Sequence, residues 1–253
     1  MTNRLWDWLK HQFTYQNSST DQRACFWQTD LHSHLIPGID DGVKVLEESM
    51  QCIRQLADWG IQKVITTPHV SHERYPNDSA TILQGLKTLK QQVELEQLPV
   101  VIDVAAEYML DDFFLQRLEA GPLLAFGPER YLLVETGWLA RPLFLDEIIF
   151  RIQTAGYVPV LAHPERYPYY MHDPEGLAKL RDQGCLMQLN WMSLTGRYGA
   201  HTRTQAKLIL KNNWVDFIGS DLHRPEDLPA LQALFSSSFY DSLKAQPLRN
   251  KGL

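Results

Sequence analysis

Strand-like and helix-like stretches alternate along this chain, and that alternation limits the folds open to it. ACFWQTDL, KVITT, VVIDVAA, YLLVE, YVPVLA, CLMQLN and VDFIGS are short runs of β-branched and apolar residues, with segments of helical spacing between them. VLEESMQCIRQLADWG, ATILQGLKTLKQQVELEQ, LFLDEIIFRIQTAG, EGLAKLRDQG and HTRTQAKLILKNN are such segments, several ending in the Gly or Asn that stops a helix. Strands separated by helices lie parallel and are joined by right-handed crossovers, either in an open doubly wound sheet or in a closed barrel. The first run is not followed by a Gly-rich dinucleotide fingerprint, which takes support from the open sheet. The expected fold is therefore an α/β barrel, irregular, with seven rather than eight units.

At 253 residues with no long Ser/Gly-rich break, the chain reads as one domain over 1–253. Residues 1–26 are expected to be an N-terminal extension. Within it Leu5, Trp6, Trp8, Leu9 and Phe13 give residues 3–13 the pattern of a short amphipathic helix, which either caps the barrel bottom or docks on a partner or membrane.

Charge and cysteine usage exclude several classes of function. A net charge of -6 gives no general attraction for nucleic acid or anionic membrane, and a nuclease would need basic residues along a strand path. No run reaches the ~18 consecutive apolar residues of a membrane span, and the start lacks a signal peptide's apolar run and cleavage site. A cytoplasmic protein without stable membrane insertion is expected. Cys25, Cys52 and Cys185 are too few and too scattered for a disulfide framework or a thiolate zinc site, and read as core packing. A thiolate phosphatase needs an Arg six residues after its cysteine, where this chain has Leu31, Asp58 and Trp191. The chain also lacks a G-x-x-x-x-G-K-[ST] phosphate loop and a G-x-S-x-G nucleophile elbow.

In a βα barrel the active face is built at the C-terminal ends of the strands. His32 and His34 follow the first run, His69 the second, Glu107 the third; Glu135 ends the fourth, His163 the fifth, and Asp221 and His223 follow the seventh. The sixth delivers Asn190, a poor ligand. Polar residues converging on one rim after apolar strands need mutual neutralisation or a metal. With Asp41, Glu107, Glu135 and Asp221 ionised, two divalent ions neutralise the cluster, whereas three leave it positive and suited to a phosphate dianion. Nitrogen and oxygen donors without sulfur fit Mn, Fe, Zn or Co and do not choose among them.

These residues, in DLHSH, TPH, the lone Glu after the third run, AHPERY and SDLH, resemble the PHP (polymerase and histidinol phosphatase) superfamily. More narrowly, HSHLIPGIDDG followed by EES, then LAHPERY, SLTGRYG and IGSDLH, resemble the bacterial PHP-type protein-tyrosine phosphatases of capsule and exopolysaccharide operons, over about residues 27–227. The resemblance implies a distorted seven-stranded (βα)7 TIM-like barrel holding three divalent ions, manganese first, with Fe, Zn, Co or Mg as other candidates. It implies hydrolysis of phosphotyrosine on a bacterial tyrosine autokinase by a metal-activated hydroxide, without a cysteine nucleophile. Carried over by residue, His32, His34, Glu107 and Asp221 hold one ion, Glu107, Glu135 and His163 the second, and Asp41, His69 and His223 the third. Asp30 and Asp40 then accept imidazole N–H groups or stabilise turns. Arg166 and Arg197 resemble the family's phosphate-binding arginines, with a rim salt bridge as the other reading of each and Arg224 as a weaker third candidate.

Tyr108 and Trp138 line a pocket for an aromatic ring or pack against neighbouring loops. His72, His172 and His201 match no motif and read as solvated. The chain departs from the resemblance in its 30 or so residues before the first motif, and in Trp191 and Met192, which stand where small residues are usual and bear on the shape of the substrate entrance. A small-molecule phosphomonoesterase such as a histidinol-phosphate phosphatase is the alternative function, and a non-catalytic regulatory module, which would show broken ligand motifs, a further one.

Overall fold

A computed structural model describes residues 24–171 and 173–253. The helix expected over residues 3–13, and His172, lie outside the described residues. The seven expected strands all form, parallel throughout. They are β1 (Thr29–Leu31), β2 (Lys63–Thr66) continued by β3 (His69–Val70), β4 (Val101–Val104) continued by β5 (Glu107–Met109), β6 (Tyr131–Glu135), β7 (Val158–Ala162), β8 (Leu186–Asn190) and β9 (Phe217–Gly219). The second strand breaks at Pro68, which has no N–H to give to a ladder. The break divides the curled sheet in two: β1-β2-β4, and β3-β5-β6-β7-β8-β9.

Helices α1 (Leu46–Asp58), α2 (Ser79–Leu95), α3 (Phe114–Ala120), α4 (Leu145–Thr154), α5 (Pro174–Asp182), α6 (Trp191–Thr195), α7 (Gly199–Lys211), α8 (Leu228–Gln232) and α9 (Phe239–Lys244) cover the outside. Outward strand residues such as Leu132, Val134 and Leu161 belong to the core shared with these helices, among them Met50, Ile53 and Leu56 of α1. Inward residues Leu31, Ile65, Leu133, Val160, Ala162 and Phe217 form a separate interior cluster, as the period of two requires.

Closure between β1 and β9 is made without a strand ladder. Near the active face it consists of one parallel bridge, Ser33 with Leu222, and of the Asp221 N–H donating to the His32 carbonyl at 2.8 Å. The backbones come so close here that a Cβ on Gly219 would lie 1.9 Å from the Leu31 carbonyl oxygen, so only glycine fits. At the opposite end Asn250 acts as a substitute strand. Its Nδ2 donates to the Thr29 and Ile218 carbonyls at 2.9 and 2.8 Å, and its Oδ1 accepts from the Ile218 N–H at 3.0 Å.

Trp191 and Met192 correct the expectation attached to them. They do not shape an entrance: both are buried, and Trp191 packs edge-on to Trp27 at 5.0 Å and against Phe235. The cysteines are core residues as expected, all three buried. Burial pushes the thiols of Cys52 and Cys185 up to about 12. Among the described residues, no helix is long and apolar enough to cross a membrane.

Candidate metal centre

All nine sequence-predicted ligand positions meet at one rim. They form four overlapping groups able to hold a metal ion: His34, Asp41, His69 and His223; His32, His34 and Asp221; His32, Glu107 and His163; and His69, Glu107 and Glu135. The strand period alone does not place them there. His32 and His163 each directly follow an inward residue, Leu31 and Ala162, so simple alternation would turn their rings outward. Both have left-handed backbone, φ 86° and 34°, as does Asp221 at 51°. Non-glycine residues are rare in that region, and strain of this kind concentrates at functional sites.

Glu107 lies at the centre, fully buried. Its Oε2 is 3.1 Å from His32 Nε2, 3.4 Å from His34 Nε2 and 3.2 Å from His69 Nδ1, while its Oε1 is 2.9 Å from His163 Nε2. The two oxygens therefore face different imidazole sets, as a bridging carboxylate's do. Asp221 Oδ1 lies 3.2 and 3.4 Å from the same two nitrogens of His32 and His34, which are themselves 3.2 Å apart. Neighbouring ligand atoms around an ion bound at about 2.0–2.2 Å are separated by about 3.0–3.5 Å, so these four donors fit a divalent cation. His69 Nδ1 adds a second sign: it is 2.8 Å from Glu135 Oε1, yet it is buried without an aligned hydrogen bond. Asp41 is half exposed, its Oδ1 3.4 Å from His69 Nε2 and 3.6 Å from His223 Nε2.

Around this set a ring of hydrogen bonds orients the donors. Asp40, not Asp41, takes the His34 Nδ1 proton at 2.8 Å, and it also accepts from the N–H groups of Gly42 and His69. Asp30 accepts from Ser220 N and Oγ, holding the turn into Asp221. The acceptor for His32 Nδ1 is Gln188 Oε1 at 2.8 Å, on β8, which sequence reasoning missed because no motif marks it. Asn190 donates to Asp221 Oδ2 at 2.6 Å.

Electrostatics follows from crowding carboxylates and imidazoles away from water. Burial by itself would lower the pKa of His32, but Glu107 and Asp221 raise it to about 10. Burial would raise Glu107 and Asp221, yet the neighbouring imidazoles hold both well below the usual carboxylate range. Asp30 goes the other way, pushed up to about 7 by burial.

A cavity of about 240 Å³ opens over the cluster, lined by Asp41, His69, Ser71, Arg74, Tyr75, Met109, Glu135, Trp138, His163, Arg166, Asp221 and His223. Arg166 donates from Nη1 to Asp221 Oδ2 at 2.7 Å, and its guanidinium lies over the rings of Trp138 and Tyr198 at 4.8 and 4.2 Å. Trp138 stacks on His163 and Tyr75 on His69, at 5.7 and 5.2 Å between centroids. Tyr108 is not at the cavity; it is buried, its hydroxyl accepting from Leu124 N–H. Arg197 is also not among the lining residues: it is exposed and pairs with Asp227 at 2.9 Å, and Arg224 approaches the same carboxylate. The second cation on the cavity wall is instead Arg74, within SHERYPND, a loop with no sequence signal beyond its place after TPH. His72 and His201 are exposed.

Comparison with known proteins agrees with this geometry. A family model described as "Capsular polysaccharide synthesis, CpsB/CapC" matches residues 28–235. The chain is 28% identical over 221 residues to the putative tyrosine-protein phosphatase CapC of Staphylococcus aureus, covering 85% of this chain and 87% of the relative. It is 28% identical over 194 residues to the tyrosine-protein phosphatase YwqE of Bacillus subtilis, covering 77% and 76%. Among solved structures it superposes with a TM-score of 0.76 at 25% identity, over 84% of this chain and 87% of the other, on one described as "Crystal structures of YwqE from Bacillus subtilis and CpsB from Streptococcus pneumoniae, unique metal-dependent tyrosine phosphatases".

Proposed function

Because the chain belongs to the CpsB/CapC capsular polysaccharide synthesis family, whose model spans residues 28–235, we infer that it is a metal-dependent protein-tyrosine phosphatase. The observation that carries this reading is a sulfur-free cluster of imidazoles and carboxylates under a cavity that also presents Arg166 and two aromatic walls. In this reading His32, His34, Glu107 and Asp221 hold one divalent ion, Glu107, Glu135 and His163 a second, and Asp41, His69 and His223 a third, with manganese as the first candidate. His34 also stands within reach of the third set. When bound, such ions supply an activated water at neutral pH and neutralise phosphoryl charge.

The chain's own residues do the rest. Arg166, anchored by Asp221 and stacked between Trp138 and Tyr198, keeps its remaining N–H donors for phosphoryl oxygens. Arg74 takes the second cationic position that Arg197 does not fill. Tyr75 and Trp138 receive the tyrosyl ring between them. The leaving phenolate, with a free pKa near about 10, needs only a weak proton donor. The three cysteines are buried with raised pKa values, so no thiolate attack is open to them. The substrate is a tyrosine-phosphorylated protein; within capsule synthesis we take it to be a bacterial tyrosine autokinase, met in the cytoplasm.

Phosphate release from a phosphotyrosyl peptide and from histidinol phosphate, measured before and after exhaustive chelation, tests this reading. The peptide is expected to be the better substrate, chelation to abolish turnover, and replacement of all three cysteines by alanine to leave it in place. Turnover that survives chelation, or a preference for histidinol phosphate, would overturn it.

A further inference from the structure

The metal cavity is the inner end of a longer groove. It shares Ser71, Arg74 and Met109 with a second cavity of about 320 Å³, which in turn shares Asp111 and Asp112 with a third of about 520 Å³. The three adjoin through these shared walls, and the walls differ in chemistry. The middle section sets Glu73, Asp111 and Asp112 against the single cation Arg74 and is therefore acidic. Asp111 is fixed by the N–H groups of His72 and Phe113 at 2.8 and 3.0 Å, while Asp112 is exposed. The outer section sets Leu115, Pro142, Leu143, Phe144 and Ile148 beside the shared aspartates and Glu147, so it pairs an apolar wall with an acidic edge. There Leu143 and Phe144 leave 90% and 69% of their surface in water. Two adjacent large apolar residues exposed at the mouth of a groove mark a binding surface.

We propose that this groove is the docking surface for the polypeptide segment flanking the phosphorylated tyrosine, with a Lys or Arg in the acidic middle section and a bulky apolar side chain in the outer one. The inference rests on the phosphatase reading above and extends it to the residues beside the tyrosine. Two observations select this occupant. The outer sections adjoin the metal cavity across Ser71, Arg74 and Met109, so they stand beside the path of a chain whose phosphotyrosine sits over the cluster. A small phosphate ester fills the inner section alone, and only a basic residue complements carboxylates on the middle walls.

Kinetics of the manganese-loaded full chain test the proposal, using free O-phosphotyrosine and phosphotyrosyl peptides with Lys then Leu on either side of the tyrosine. Peptides with Asp then Ser in those places are the comparison. One Lys/Leu peptide is expected to exceed its counterpart by about tenfold in kcat/KM, chiefly through KM. Leu143→Ser combined with Phe144→Ser removes the preference for Leu, and Asp112→Lys reverses the preference for Lys. Both variants leave kcat/KM for free O-phosphotyrosine within about twofold of the parent. Equal losses on free and peptide substrates, or unchanged peptide kinetics in both variants, overturn the groove. Failure of the parent to hydrolyse any phosphotyrosyl compound sinks the phosphatase reading instead. Fluorescence anisotropy of the labelled peptides then decides the groove without turnover: the same ranking of affinities supports it and equal affinities overturn it.

Discussion

The arginines show how little a motif position says about the reach of a side chain. Arg166 and Arg197 both stand in family-like motifs, yet one is held over the metal cavity and the other pairs with Asp227 at the surface. Local sequence cannot separate them, since each follows an element end and each is flanked by a tyrosine. The difference lies in which partner carboxylate and which aromatic rings the fold brings near. Replacing Arg166 with Ala is expected to lower kcat/KM for a phosphotyrosyl peptide by about 10²–10³-fold at unchanged metal content, the loss typical of a donor to developing charge. Arg166→Lys recovers little of it, because an ammonium neither stacks between Trp138 and Tyr198 nor presents a fork. Arg197→Ala changes the rate less than Arg166→Ala, and an equal loss would return Arg197 to the site.

At the scale of elements, the strands were legible and their closure was not. Seven apolar runs with intervening helical spacing define seven parallel strands, and a ligand type after six of the seven marks the active rim. No run announces that β1 and β9 meet through one bridge, a glycine and the side chain of Asn250, because each of these ties a β1-side residue, Ser33, Leu31 or Thr29, to one some 190 to 220 positions further on. Asn250→Ala leaves three buried backbone groups without that partner, and each unsatisfied buried group costs about 1–3 kcal/mol. At the low end, ~3 kcal/mol for the three groups, the melting temperature followed by circular dichroism is expected to fall by roughly 6–12 °C, given about 2–4 °C per kcal/mol for a domain of this size. An unchanged melting temperature would show that water replaces the side chain there. Trp191 and Met192 belong to the same scale: read along the chain they are large residues where small ones are usual, and folded they are core.

For the whole molecule, the metal-free and metal-loaded forms differ in where their protons sit. Without ions, His32 titrates near about 10 against an ordinary 6.5 because Glu107 and Asp221 favour its charged form. A folded pKa above the unfolded one contributes stability that is complete below about 6.5 and is lost as pH rises toward 10. His34 and His69 are raised as well, and Glu107 is depressed, which keeps these pairs ionised over the same range. Ion binding must displace the protons of His32, His34 and His69, so it releases protons and weakens as pH falls. The melting temperature of the chelated protein is expected to decline between pH 6.5 and 10 while that of the manganese-loaded protein changes less. Parallel profiles for the two forms would show that the histidines do not carry those protons.

The order of residues along the chain determines the fold class, the face on which the site lies and the residue types that compose it, since strand and helix periods and strand ends are local properties. Only the tertiary structure decides which donors face one another, which arginine reaches the cavity and which aspartate of the Asp40–Asp41 pair turns toward His69 and His223. Those depend on left-handed turns at His32, His163 and Asp221 and on the close approach at Gly219, where distant strands meet and a side chain's direction is set by what packs behind it.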